Sequence, residues 1–361
     1  MTDMGPRAAT ELQDIQVIAP NFKRRLSGVT ATVVRLVPVQ ARAIAIVATG
    51  PVLPENVPQI PLSKLTILPR RGPGPNGWRV WHARRNVEMI GGLALRYLLG
   101  KRLKLMFTSA SQRKQTRLTR WLIRRMDAIV STSDKTAAYL DGPSEVIMHG
   151  IDTEAFSPAQ EVAALRVHLD LPAEMKIVGC YGRIRAQKGT DVFVDAMVGL
   201  LQENQNAMAL VMGRATQAHA EFEKNLKAKV ASAGLSDRLR FPPEVPTEAM
   251  ADWYRVLDLY IAPQRWEGFG LTPIEAMACG VPVIATRVGA FDSLVTEGET
   301  GHLIDPGNVA AMRATAQQLL SNADQLATMK QAARSRAVTH FSIEGEAAKL
   351  IAIYRQLLSS D

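Results

Sequence analysis

Short apolar runs alternate with longer amphipathic stretches along this chain. That is the pattern in which buried parallel strands take turns with covering helices. In the first half it predicts strands over residues 15–19, 43–47, 103–108, 128–131 and 146–148. In the second half it predicts strands over 176–181, 208–212, 239–241, 259–262, 281–285 and 302–304. Helices fill the gaps, notably over 190–203, 217–233 and 247–257. Residues 50–76 interrupt the pattern with Pro51, Pro54, Pro58, Pro61, Pro69, Pro73 and Pro75, and read as loop with one short strand at most. The last segment, 343–358, carries Ala347, Leu350, Ile351, Tyr354 and Leu357 as a helical stripe that needs a neighbour to cover it.

At 361 residues the chain exceeds what one core usually organises, so two domains are expected. Gly150, Asp152 and Pro158 break the periodicity after the last first-half strand and set the boundaries. These are an N-terminal domain over 1–155, a C-terminal domain over 156–340 and a helix over 341–361 that packs back on the first. No internal repeat is apparent. No apolar run approaches the roughly 20 residues of a bilayer span, and residues 1–14 lack the basic-then-apolar order of a signal peptide. A cytoplasmic protein is therefore expected. Cys180 and Cys279 have no metal-ligand spacing and read as buried thiols.

The net charge of +9 is unevenly placed. Residues 1–160 hold 23 Lys/Arg against 11 Asp/Glu, whereas residues 161–361 hold 20 against 23. One half is thus suited to an anionic partner while the other does separate work. The excess is densest over 79–125, with 13 basic residues and one acid, Glu88. Arg113, Lys114, Arg117, Arg120, Arg124 and Arg125 are predicted to share a helix, with Arg113, Arg117, Arg120 and Arg124 on one face. Such a face repels itself unless anions neutralise it.

The segment richest in chemistry is Arg265-Trp-Glu-Gly-Phe-Gly-Leu-Thr-Pro-Ile-Glu-Ala-Met-Ala-Cys-Gly280, after a predicted strand. Glycines let backbone N–H groups approach a ligand, and a helix with Thr272 at its N-cap and Pro273 at its first position adds partial positive charge. The combination suits a diphosphate. Glu267 and Glu275 stand where they can accept hydrogen bonds from hydroxyls around it, although Thr272 and Glu275 also have capping-box spacing. A glycosidase pair is the weaker reading, because both carboxylates belong to one loop–helix unit. The loop Gly182-Arg-Ile-Arg-Ala-Gln-Lys-Gly-Thr190 follows another strand, and Arg183 and Lys188 can converge there on one phosphate. Gly28, in Ser27-Gly-Val-Thr30, is a third, weaker phosphate contact that also reads as a helix cap. No Asp-x-Asp pair, metal-ligand cluster, Walker loop or Gly-x-Ser-x-Gly elbow is present. Charge on a leaving diphosphate then falls to Arg183, Lys188 and the helix start, with no metal or other cofactor expected.

Arg183-x4-Lys188 followed by Glu267-x7-Glu275, with Gly-Phe-Gly between, resembles the large retaining glycosyltransferase family of GT-B fold: α/β, two Rossmann-like domains facing a central cleft. In the first half Ser27-Gly-Val-Thr, Trp81-His-Ala-Arg-Arg-Asn and Phe107-Thr-Ser-Ala-Ser-Gln-Arg-Lys resemble the α-proteobacterial lipopolysaccharide-core mannosyltransferases, which use GDP-mannose. The resemblance implies that Arg183 and Lys188 bind the donor diphosphate, Glu267 the sugar and Glu275 the ribose. The amides of Phe269, Gly270 and Leu271 would hold sugar hydroxyls and phosphate. It also implies a donor-facing histidine at His82. The expected catalytic set is Arg183, Lys188, Glu267 and His82. The expected donor set is Gly28, Arg183, Lys188, Val245, Glu267, Gly268, Phe269, Gly270, Leu271, Thr272 and Glu275. Gly213-Arg-Ala stands where relatives have Gly-x-Gly, and His149 where many have Asn.

The expected reaction moves mannose from GDP-mannose, with retention, to the Kdo-containing inner core of a lipopolysaccharide precursor. The alternative is another GDP- or UDP-sugar and another glycan or lipid acceptor. Arg84, Arg85, Arg113, Lys114, Arg117, Arg120 and Arg124 are the expected acceptor contacts, at the cytoplasmic face of the inner membrane. A nucleic-acid partner is disfavoured, because the Arg-rich stretch lacks interleaved aromatics and a recognised binding fold. A nucleotide-sugar epimerase of the same architecture would differ by reacting donor without acceptor.

Overall fold

The computed structural model describes residues 11–24 and 28–361 and divides into two compact units, 1–148 with 343–361, and 149–342. Unit 1 is built on the parallel strands β1 (Val17–Pro20), β2 (Ile46–Thr49), β3 (Arg79–Ala83), β4 (Leu103–Ser109), β5 (Ala128–Ser131) and β6 (Glu145–Val146), in the order β2-β1-β3-β4-β5-β6. The pleat sends alternate side chains to opposite faces. Val17, Ala19, Val80 and Met106 meet helices Gly28–Gln40 and Ile343–Ser359 on one side. Ile18, Trp81, Ala83 and Leu105 meet helix Asn86–Tyr97 on the other, among Met89 and Leu93. The terminal helix buries its stripe, Ala347, Leu350, Ile351, Tyr354 and Leu357, in the core of unit 1.

Unit 2 carries β7 (Lys176–Tyr181), β8 (Ala207–Met212), β9 (Leu239–Arg240), β10 (Leu259–Ala262), β11 (Val283–Thr286) and β12 (Gly301–Ile304), all parallel, in the order β12-β11-β10-β7-β8-β9. Strand order reverses between β7 and β10, and the loops leaving the carboxyl ends of such a pair form the usual ligand crevice of an open α/β sheet. Those two loops hold the motifs at 182–190 and 263–272. Cys180 and Cys279 are buried free thiols, both pushed up to about 12 by burial.

Several elements depart from expectation. Unit 2 starts at His149 rather than at 156, because Ile151 N–H donates to Phe341 O (2.7 Å) and Arg334 Nη1 binds the carbonyls of Thr153 and Phe156 (2.9 Å each). β3 was not expected, although it lies between β1 and β4. Its first residue, Arg79, is fully buried, and its Nε donates to Ile15 O at 2.6 Å. Residues 50–76 contain the helix Lys64–Ile67 and a parallel bridge between Ala48 and Gln59. The Arg-rich helix is short, Arg117–Ile123 behind an N-cap at Thr116, so Arg113 and Lys114 lie in the preceding loop. No helix among the described residues is long and apolar enough to cross a membrane.

Candidate functional site

The loop after β7 is pinned to the end of β10. Gly189 has φ +70°, and a Cβ there would overlap the carbonyl oxygen of Pro263, so this crossing admits only glycine. Arg265 completes the lock. Its backbone N–H donates to Gln187 O (3.0 Å), and its guanidinium grips Asp191 through Nη1 (2.7 Å) and Nη2 (2.8 Å). Burial works to raise the Asp191 pKa, but the hydrogen bonds and charge of Arg265 outweigh it and hold the carboxyl below the usual range.

Between the loops Lys188 Nζ donates to Glu267 Oε2 in a short ion pair, and Glu267 Oε1 accepts the Gly268 N–H at 3.0 Å. Both side chains are mostly shielded, at 22% and 16% exposure. Arg183, at the mouth of the same loop, is exposed and has no polar partner among the described residues. Lys188 thus rests on the carboxylate, not in a joint cluster with Arg183. Gly270, at φ +89°, packs so closely on Phe291 that a Cβ would overlap the ring, which fixes the path of Phe269–Leu271. His149 stacks edge-on against Phe269 of the glycine loop at 4.8 Å. Val245 is half-buried in the loop leaving the edge strand β9, at the same carboxyl end of the sheet.

Helix Thr272–Ala278 begins one residue earlier than expected. Leu271 is its N-cap and no side chain caps it, which removes the capping-box reading of Thr272 and Glu275. With seven residues, the helix offers the free N–H groups of its first turn more than a long macrodipole. Glu275 Oε2 instead accepts the Tyr254 hydroxyl at 2.7 Å. Tyr254 stands in a buried aromatic cluster with Tyr181 (5.0 Å) and Tyr260 (5.5 Å). Burial first, and the Glu275 charge second, hold its phenol well above the usual range, so it stays a donor. A cavity of about 580 Å³, lined in part by Leu257, Asp258 and Val281, lies at the amino-terminal end of β10 and β11, away from these loops.

In unit 1 the expected residues are used differently. His82 is fully buried on the face covered by the terminal helix. Its Nδ1 meets the Tyr354 hydroxyl (2.6 Å) and its Nε2 the Thr108 hydroxyl (2.7 Å), so neither ring nitrogen is left for a donor sugar. The structure thus places His82 in an internal hydrogen-bond network rather than at an open surface. Arg84 and Arg85 are likewise internal. Arg84 Nη1 donates to His82 O (3.2 Å), and Arg85 Nη1 binds Asn21 Oδ1 (2.8 Å) and Glu88 Oε1 (2.7 Å). Neither guanidinium is an open acceptor contact. Gly28 is exposed and begins its helix, while Ser27 of that motif lies outside the described residues. Arg113, Lys114, Arg117, Arg120 and Arg124 are all exposed. Lys114, Arg120, Tyr139 and Asp141 line a surface cavity of about 410 Å³, with Arg120 and Arg124 at 3.7 and 3.9 Å from Asp141.

The model of the group 1 glycosyl transferases matches residues 162–336, the part that contains both of these loops. The chain is 50% identical over 352 residues to the lipopolysaccharide core biosynthesis mannosyltransferase LpsB of Rhizobium meliloti (strain 1021), covering 96% of this chain and 99% of the relative. The chain belongs to the group 1 glycosyl transferases. LpcC of Rhizobium leguminosarum bv. viciae, named for the same activity, is 46% identical over 97% of this chain and 99% of its own. Among solved structures, Anabaena Alr3699/HepE in complex with UDP superposes with TM-score 0.81 at 17% identity, covering 94% of this chain and 99% of that one. That likeness shows the fold, GT-B, with two Rossmann-like domains.

Two supporting groups in this hexosyltransferase escaped sequence reasoning. Asp191 and Arg265 are 74 residues apart, and nothing in their local spacing announces a bidentate pair. Tyr254 precedes Glu275 by 21 residues on a separate helix, and reads from sequence only as an apolar-face aromatic.

Proposed function

We propose that this transferase moves mannose from GDP-mannose, with retention and without a metal, onto the Kdo-bearing core of a lipid A precursor at the cytoplasmic face of the inner membrane. The observation that carries the reading is the Lys188–Glu267 ion pair at the carboxyl ends of β7 and β10, with Arg183 exposed beside it. Mannose and the lipopolysaccharide core come from the Rhizobium relatives, which share nearly the full length.

In this mechanism the donor diphosphate takes Lys188 from Glu267 and gains Arg183 as a second cation. Glu267, released, accepts hydrogen bonds from sugar hydroxyls, and Glu275 does so from ribose, backed by Tyr254. The bond from the anomeric carbon to the diphosphate oxygen breaks while the acceptor hydroxyl attacks the same face. The departing phosphate oxygen takes the hydroxyl proton, so no separate base is required, and the new linkage is α. Arg183 and Lys188 act where negative charge grows, which is where fixed cations lower a barrier most.

The acceptor reading rests on the exposed Arg113, Lys114, Arg117, Arg120 and Arg124, which suit carboxylates and phosphates better than a neutral glycan. A panel of GDP- and UDP-sugars, each assayed for nucleotide release with and without a Kdo-lipid A acceptor, tests it. Acceptor-dependent release from GDP-mannose above all others is expected. Preference for a UDP-sugar, or release without acceptor, overturns it.

A further inference from the structure

Helix Asn86–Tyr97 is apolar on both sides. Its inner face buries Met89, Gly92, Leu93 and Leu95 on the sheet of unit 1. Its outer face, where a soluble helix carries Lys and Glu, presents Val87 (54% exposed), Ile90 (46%) and Tyr97 (66%), with Ala94 between, and runs on into Leu98 (81%). The spacing of three, four and three residues makes this one stripe. Leu98 and Leu99 extend it sideways to the exposed Ile67, because Lys101 Nζ donates to Thr66 O (2.9 Å) and Arg102 N–H to Arg70 O (2.7 Å). On the other flank Asn86 Nδ2 bonds Thr119 Oγ1 at 2.8 Å, which brings helix Arg117–Ile123 alongside with Leu118 and Trp121 half exposed.

The charge around this stripe is predominantly positive, with Asp127 paired to Arg96 at 2.9 Å and Asp141 at 3.7 and 3.9 Å from Arg120 and Arg124. Over residues 79–125 the sole acid is Glu88, and it is buried. Arg117, Arg124 and Arg125 border the stripe on the Trp121 side, with Arg125 stacked 3.6 Å over that ring, and Arg70 and Arg71 stand exposed beyond Ile67. An apolar helix face with aromatic residues near its rim and cations on both sides matches an anionic lipid surface: acyl chains for the stripe, headgroups for the arginines. A protein partner of the same apolar character would not call for cations on both flanks.

We infer that the outer face of helix Asn86–Tyr97, with Ile67 and Leu98, inserts into the interfacial layer of an anionic bilayer and holds the enzyme there. The inference rests on the proposed membrane location of the acceptor only for its choice of partner. The insertion is apolar, and is therefore distinct from attraction of the basic residues alone.

The full chain is sedimented with vesicles of phosphatidylcholine, and of phosphatidylcholine mixed with phosphatidylglycerol. Binding to the anionic vesicles is expected, and Ile90→Glu combined with Leu98→Glu should weaken it by roughly tenfold or more. Both positions are exposed, so melting temperature and turnover of detergent-dispersed acceptor should match the wild type. Wild-type affinity in the double variant overturns the proposal, as does binding lost to Arg117→Glu and Arg124→Glu but unchanged in the double variant. A wild-type dimer that the double variant dissolves, without vesicle binding by either, assigns the stripe to a second copy and also overturns it. A different donor sugar in the nucleotide-release assay would sink the mannose reading and leave this result standing.

Discussion

Arg265 and Asp191 face each other as a two-point ion pair, Nη1 to Oδ1 at 2.7 Å and Nη2 to Oδ2 at 2.8 Å, and through it the loop after β10 holds the loop after β7. Lys188 belongs to the second loop and Glu267 to the first, so the pair sets the distance between two groups that meet one donor in the proposed mechanism. Both partners are roughly a third exposed, which limits their worth to global stability. The effect should appear in catalysis. Arg265→Ala is expected to lower kcat/KM by roughly tenfold, about 1.4 kcal/mol of transition-state stabilisation, with a melting temperature near wild type. Arg265→Lys should recover part of it, since one point of the fork remains. Steady-state kinetics with both variants checks this, and unchanged kinetics in Arg265→Ala would remove the clamp from the mechanism.

The strands that bracket the donor loops were legible because their signals are local. Lys176–Tyr181 and Leu259–Ala262 are apolar runs ended by turn residues, and both match the structure to the residue. β3 was not legible, because Arg79 begins it and Arg84 and Arg85 follow it, a charged frame foreign to a central strand. Carbonyl groups of Leu12, Ile15 and Pro69 accept the Arg79 guanidinium and make its burial tolerable, and those partners come from distant segments. His82 sits in that strand, so its inward direction was hidden with it. The motif residues of unit 2 were recognisable as types in a pattern. Their resting arrangement, with Lys188 on Glu267, depends on loop contacts that spacing alone does not encode.

Lys188→Ala removes one of the two cations that the proposed mechanism sets against the departing charge. Loss of one such group costs on the order of 3 kcal/mol in the transition state, so kcat should fall by roughly a hundredfold. Glu267 then loses its ion-pair partner but keeps the Gly268 amide, and the fold should persist. EDTA should leave wild-type turnover intact. A requirement for magnesium or manganese, shown by loss with EDTA and recovery on addition, refutes the metal-free mechanism.

Glu275→Gln keeps an oxygen that can accept the Tyr254 hydroxyl, so the melting temperature should hold while donor affinity drops. Tyr254→Phe removes the same bond from the other side. It leaves Glu275 less well held and should weaken donor binding by a smaller factor, on the order of 1 kcal/mol, typical of one net hydrogen bond. Calorimetric titration of GDP into each variant measures both. If Glu275→Gln collapses the melting temperature with donor affinity intact, the carboxylate is structural and the ribose role fails.

His82 makes the attachment of the terminal helix sensitive to acid. Its Nδ1 faces two donors, the Tyr354 hydroxyl at 2.6 Å and Arg84 Nη2 at 3.4 Å, so the neutral ring accepts there and gives its Nε2 proton to Thr108. Burial first, and the Arg84 charge second, push its pKa well below the usual histidine range. The sign follows directly. Above about pH 6.5, where an unfolded histidine is neutral too, the arrangement costs nothing in protonation. As pH falls below that value the unfolded chain binds a proton that the folded one refuses, and stability drops by up to about 1.4 kcal/mol per pH unit until the folded pKa is reached. Tyr354 lies on Ile343–Ser359, so hydrogen exchange at the amides of that helix is the local readout. Their protection in the wild type should fall between pH 7 and pH 5 relative to His82→Gln, a comparison in which the remaining histidines cancel. Tyr354→Phe should keep the wild-type pH slope while lowering protection at every pH, because it removes a hydrogen bond and leaves the buried imidazole in place. Equal slopes in the wild type and His82→Gln would show that another group carries the acid response.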